Sequence, residues 1–113
     1  MKPGDILLIR FPFSDLESVK KRPALFLFES RLGAHNHLYT IAMITSRIEN
    51  PRIGGDVLLQ HWKESGLLHP SVARLSKIAT VDAELAEKRI GNLSKVDVKA
   101  TQIAIRKLFH SWI

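Results

Sequence analysis

The chain has 113 residues, 45% of them hydrophobic and 25% charged, enough for one ordinary core, and a single domain over residues 1–113 is expected. It contains no cysteine, which excludes disulfides, thiolate catalysis and Cys-ligated zinc, and leaves oxygen, nitrogen and backbone groups for any chemistry. Its 17 Lys and Arg against 11 acids give a formal charge of +6, which favours nucleic acid or an acidic protein as partner, with binding that weakens as salt rises.

No apolar run approaches the roughly 20 residues that cross a bilayer. Met1 to Asp5 lead straight into strand-forming residues with no leader pattern, so a cytoplasmic protein without a membrane partner is expected.

Asp5 to Phe11 is leucine- and isoleucine-rich and bounded by Gly4 and Pro12, which predicts a mostly buried first strand. Pro12 to Val19 has no clean period and holds turn formers, so it reads as a loop that leads into Lys20, Lys21 and Arg22. Pro23 fixes its own φ and pushes Arg22 toward extended backbone, at the mouth of a second strand over Ala24 to Phe28. Ser30 to His37 is expected to turn, and Leu38 to Ser46 to form a third strand ending in the hydroxyls of Thr45 and Ser46.

Arg47 to Gly55 is a connector, Asp56 to Leu59 a short strand, and Gln60 to Gly66 a helical turn or an exposed loop carrying Trp62. Ser71 to Val81 supports one or two further strands, and Asp82 to Lys88 a short helix. Ser94 to Ile113 is the strongest helical segment: Ser94 with Asp97 resembles a capping box. Val98, Thr101, Ile105, Leu108 and Trp112 make one stripe on it, and Arg106, Lys107 and His110 suit its C-terminal pole. Five to seven short strands closed by a terminal amphipathic helix describe a small, strongly bent antiparallel sheet or partial barrel, mainly β with one helix.

Basic and hydroxyl residues supply the material for a site. Arg22, then Thr45 with Ser46 and Arg47, then Arg74 with Ser76 and Lys77, each lie at the end of or within a strand-like run. Two guanidiniums and a hydroxyl that converge can clamp a phosphodiester and stabilise charge growing on it; without convergence the same residues are turn hydroxyls and a solvated face. Asp15 and Glu17 precede Arg22 and are suited either to accepting a proton or to pairing with Lys20 or Lys21. Trp62 is either a base-stacking platform or the cover of a core edge. His35 and His37 lack a third ligand nearby, so no metal centre and no cofactor are expected, whereas His61 or His69 is chemically suited to moving a proton.

Gly4-Asp5-Ile6, Phe11-Pro12-Phe13, Lys21-Arg22-Pro23-Ala24-Leu25, Ile44-Thr45-Ser46, Pro70-Ser71-Val72-Ala73-Arg74 and Ile90-Gly91-Asn92-Leu93-Ser94 occur in an order that resembles the MazF/PemK family of toxins from type II toxin–antitoxin modules. The resemblance implies an SH3-like antiparallel barrel with a C-terminal helix, working as a homodimer beside an acidic, partly disordered antitoxin. It implies metal-independent, sequence-specific cleavage of single-stranded messenger RNA, with attack by the 2′-hydroxyl leaving a 2′,3′-cyclic phosphate. By position Arg22 matches the family's catalytic arginine, Thr45 its catalytic threonine, and Arg74 an arginine used in some members. Some relatives carry an acid two residues after that second arginine and a histidine in the first loop. Here Ser76 stands at the first place and residues 13–21 hold no histidine, so Glu17, Asp15 and His69, in that order, are the candidates for the base. Lys20, Lys21, Ser46, Arg47, Arg74, Ser76, Lys77 and Trp62 complete the expected RNA-binding set. The alternatives are a non-enzymatic toxin of the same fold that binds a protein, of the gyrase-poison kind, and a plain RNA-binding module.

Overall fold

A computed structural model describes residues 1–12 and 19–113. Six strands, β1 (Asp5–Pro12), β2 (Val19–Leu32), β3 (Asn36–Thr45), β4 (Asp56–Leu58), β5 (Val72–Asp82) and β6 (Ala86–Asn92), precede one helix, α1 (Lys95–Leu108). They form a single antiparallel sheet in the order β4-β5-β3-β2-β1-β6. The two ends of that order, β4 and β6, do not pair with each other, so the barrel expected from sequence is strongly bent but not closed.

Bending divides the core in two. Ile6, Leu25, Ala42, Ile44, Val57, Leu59 and Leu75 meet Val98 and Ile105 of α1 in the larger cluster, whereas Leu7, Ile9, Ala24, Phe26 and Ile41 form the second. Alternate residues of β1 and β2 go to opposite clusters, as the two-residue period of a strand requires. Irregularities at Phe26/Phe28 and at Ala42/Met43 let long strands serve both clusters, because a bulge adds local twist and bend.

Several boundaries differ from those expected. Lys20 to Arg22 belong to β2, which runs 14 residues to Leu32, so Arg22 lies inside a strand and not at its mouth. Pro23 is tolerated there because the ladder to β3 starts only at Ala24, leaving one side of the strand unpaired at the proline. The turn predicted over Ser30 to His37 shrinks to residues 33–35, with Gly33 at φ 74°. Ala83–Leu85 makes only a 3-10 turn, and Ala86 to Lys88, expected to be helical, enter β6, since pairing with β1 outweighs a helix propensity worth tenths of a kcal/mol per residue.

The helix starts as predicted, with Ser94 Oγ accepting the Asp97 N–H at 3.2 Å. It ends at Leu108, and a further 3-10 turn carries Trp112 to 88% exposure, so Trp112 drops out of the packing stripe. No described helix is long and apolar enough to cross a membrane.

Candidate active site

One concavity holds the two most suggestive residues. Arg22 of β2 and Thr45 of β3 lie just beyond Ala24 and Met43, where the pairing of the two strands ends. Both line one groove of about 330 Å³ between the β2 and β3 ends and the segment at residues 66–71. Lys21, Ser46, Arg47 and Ser71 line it too, so three cations and three hydroxyl residues border one concavity.

Local contacts show how these groups are presented. Thr45 Oγ1 accepts the Arg47 N–H at 3.1 Å, a short-range turn that occupies one lone pair and leaves the hydroxyl proton to donate to a ligand oxygen. Arg22 is exposed and makes no ion pair with another described residue. Lys21 Nζ sits 2.9 Å from Glu87 Oε1 of β6, and this hydrogen bond holds the Glu87 carboxyl below its ordinary pKa. With both side chains exposed, the pair is open to exchange with a phosphate.

The far wall is built by the segment after β4. Gln60 and His61 N–H groups each donate at 2.9 Å to the two carboxylate oxygens of Asp97, which is fully buried at the start of α1. His61 Nδ1 lies 2.8 Å from Ser94 Oγ. The Ser65 and Leu67 N–H groups donate to the carbonyls of His61 and Trp62, closing the loop on itself. Gly66, at φ 92°, and Gly91 make the contact with β6: a Cβ on Gly91 would stand 2.2 Å from the Ser65 carbonyl oxygen, so only glycine lets the two backbones approach. Leu67 is thereby buried and His69 turned outward along the groove, with its carbonyl accepting from Ser71 Oγ at 2.8 Å.

Other expected site residues go elsewhere. Arg74 is outside the groove; its Nε and Nη2 donate to Asp56 Oδ1 and Oδ2 at 3.0 and 3.1 Å in a bidentate pair whose side chains are 14% and 3% exposed. Asp56 also accepts the Ile53 N–H, so Arg74 organises the connector before β4. Ser76 and Lys77 are exposed on the stretch of β5 that bulges between the partners of Ala42 and Met43, and do not line the groove. Lys20 pairs in register with Phe11, also away from the groove lining. Trp62 is half-buried against the larger core cluster, the cover of a core edge. Glu17 and Asp15 lie outside the described residues.

Sequence reasoning missed two contributors. Asp97 looks like a capping residue, yet its carboxylate holds the groove wall; Asp56 carries no local signal at all for its pairing with Arg74, 18 positions away.

The model of a family described as PemK-like, MazF-like toxin of type II toxin-antitoxin system matches residues 2–109. The chain belongs to this family. Among solved structures, the PemK/MazF-like chain resembles the Mycobacterium tuberculosis toxin MazF-mt6, with a TM-score of 0.70 and 24% identity over 94% of this chain and 96% of that one. It also resembles a structure titled Endoribonuclease from Mycobacterial species, at TM-score 0.66 and 14% identity over 97% of this chain and 91% of that one. At these identities the likeness concerns the fold. No curated protein matches the sequence. The groove at Arg22 and Thr45 is cationic, hydroxyl-lined and open, a chemistry that suits an anionic ligand.

Proposed function

We propose that the chain is a metal-independent, sequence-specific endoribonuclease toxin that cleaves single-stranded RNA, messenger RNA above all, in the groove at Arg22 and Thr45. The observation that carries this reading is that Arg22 and Thr45 line one concavity together with the cations Lys21 and Arg47. A bound phosphodiester meets a guanidinium able to make two charge-assisted hydrogen bonds and a hydroxyl whose proton is available. As the adjacent 2′-oxygen bonds to phosphorus, negative charge builds on the non-bridging oxygens, and donors fixed in advance at that position lower the barrier. The 3′,5′ linkage then breaks at the 5′-oxygen, giving a 2′,3′-cyclic phosphate and a 5′-hydroxyl. Lys21 and Arg47 bind flanking phosphates and Ser46 adds a neutral hydrogen bond.

Support also comes from the family to which the chain belongs and from the endoribonuclease title of one structural relative. Incubation with single-stranded RNA in EDTA tests the reading: cleavage with cyclic-phosphate ends that disappears in Arg22→Ala is expected, and an inert wild type or an unaffected Arg22→Ala overturns it.

Two partners belong to the same proposal. An acidic antitoxin segment, disordered when free, complements the net charge of +6 and covers the cationic groove. A second copy of the chain covers an apolar hollow of about 260 Å³ between α1 and the sheet, rimmed by Phe28, Ile78 and Phe109, which are 54%, 45% and 46% exposed.

A further inference from the structure

Cleavage through the 2′-hydroxyl needs a group that removes its proton, and the groove described above is poor in acceptors. Among the described lining residues the fixed charges are Lys21, Arg22 and Arg47, all cationic; Glu87, paired with Lys21, is not part of the lining. The hydroxyls of Thr45, Ser46 and Ser71 are weak acceptors at neutral pH, and Ser71 already donates to the His69 carbonyl. His69 is the one imidazole among the described lining residues, a side chain with a ring nitrogen that can accept a proton.

Its backbone is held in place from both sides. Pro70 restricts His69 to extended conformations, Ser71 Oγ grips its carbonyl at 2.8 Å, and Leu67 two residues earlier is anchored in the core. The imidazole itself is exposed and makes no hydrogen bond with a described residue, so it is available to a ligand.

We propose that His69 is the general base of this groove, taking the proton of the 2′-hydroxyl as that oxygen attacks phosphorus. The assignment rests on the endoribonuclease reading above. In the balanced step the O2′–H proton passes to an imidazole ring nitrogen, the O2′–P bond forms and the P–O5′ bond breaks. The departing 5′-oxygen takes a proton from water, and the imidazolium returns its own to solvent. Arg22 and Thr45 stabilise the phosphorane while His69 supplies the acceptor that neither of them provides.

Single-turnover cleavage of a short single-stranded RNA, measured across pH with wild type, His69→Gln, His69→Gly, Glu17→Gln and Arg22→Ala, tests the assignment. His69→Gln is expected to lower kcat about 10²- to 10⁴-fold with KM nearly unchanged, and to lose the limb over which the rate rises with pH through the imidazole range. Added imidazole is expected to restore His69→Gly in proportion to its neutral form. An unaltered kcat and pH limb in His69→Gln overturns the assignment, as does a loss confined to KM, or loss of the limb in Glu17→Gln in place of His69→Gln. In those cases a dead Arg22→Ala leaves the endoribonuclease reading standing. A wild type that cuts no RNA, or an Arg22→Ala that cuts equally, overturns both.

Discussion

Arg22 and Arg74 are both arginines of strand-forming stretches that the sequence offers as phosphate ligands, and the fold gives them opposite tasks. Arg22 lies in the part of β2 that has only one strand neighbour, and is exposed to a groove shared with Thr45, Lys21 and Arg47. Arg74 pairs in register with Asp56 of β4 and is closed around its carboxylate, both partners largely buried. A guanidinium satisfied by a bidentate carboxylate has little left to offer a phosphate, because displacing it would strand a buried anion. What separates a binding arginine from a structural one is therefore whether an acid sits at the facing register position, a property of strand pairing and not of the residue's own neighbourhood.

Breaking the comparison at its functional end gives the largest effect. Arg22→Ala is expected to lower RNA cleavage by about 10³-fold or more, with a melting temperature close to that of wild type, since an exposed side chain is removed. Thr45→Val, which keeps the shape and deletes the donor, is expected to cost about 10²-fold in kcat. At the structural end the signature inverts. Arg74→Met leaves Asp56 without its cation and is expected to destabilise the fold by about 3–5 kcal/mol in urea unfolding, while the folded fraction keeps near-normal cleavage. A double change at Arg74 and Asp56 to Met and Leu should recover much of that loss; no recovery would show that the pair is not the source.

Two smaller effects sharpen the picture of the scaffold. Asp97→Ala orphans the Gln60 and His61 N–H groups, at about 1–3 kcal/mol for each buried donor, and faster hydrogen exchange confined to residues 60–67 is the readout. The smallest concerns acid. Burial raises the Asp5 carboxyl, but the Lys2 N–H and the Arg89 guanidinium more than offset it, so its pKa lies below the ordinary carboxylate value. The unfolded chain then binds the proton more readily, and the stabilisation is present above the ordinary value and lost as pH falls through the lowered one. Melting curves from pH 7 down to about pH 3 should fall more steeply for wild type than for Asp5→Asn.

Local signals carried much of the fold. The helix was legible because Ser94, Asp97 and the Val98-Thr101-Ile105 spacing all act within a few residues. β1 was legible because Gly4 and Pro12 bracket an apolar run. What stayed hidden was non-local. Residues 86–88 carry helix-favouring side chains and are strand because β1 needs a partner there, and Pro23 looked like a boundary because nothing local says that the pairing of β2 with β3 ends at Ala24. In the site, the identities of Arg22 and Thr45 were visible, whereas their place in one groove depends on how β2, β3 and residues 66–71 come together. The spending of Arg74 on Asp56, the burial of Trp62 against the core and the clasp of Asp97 on the groove wall depend on contacts made across the sheet or from the helix.

The contrast between the open and the closed arginine is tested most directly by one assay. Arg22→Ala and Arg74→Met, each at a temperature where it is folded, are incubated with single-stranded RNA in EDTA, and the 3′ ends of the products are analysed. The account predicts 2′,3′-cyclic phosphate ends from wild type and from Arg74→Met, and no product from Arg22→Ala. Cleavage that survives loss of Arg22 and vanishes with Arg74 would contradict it.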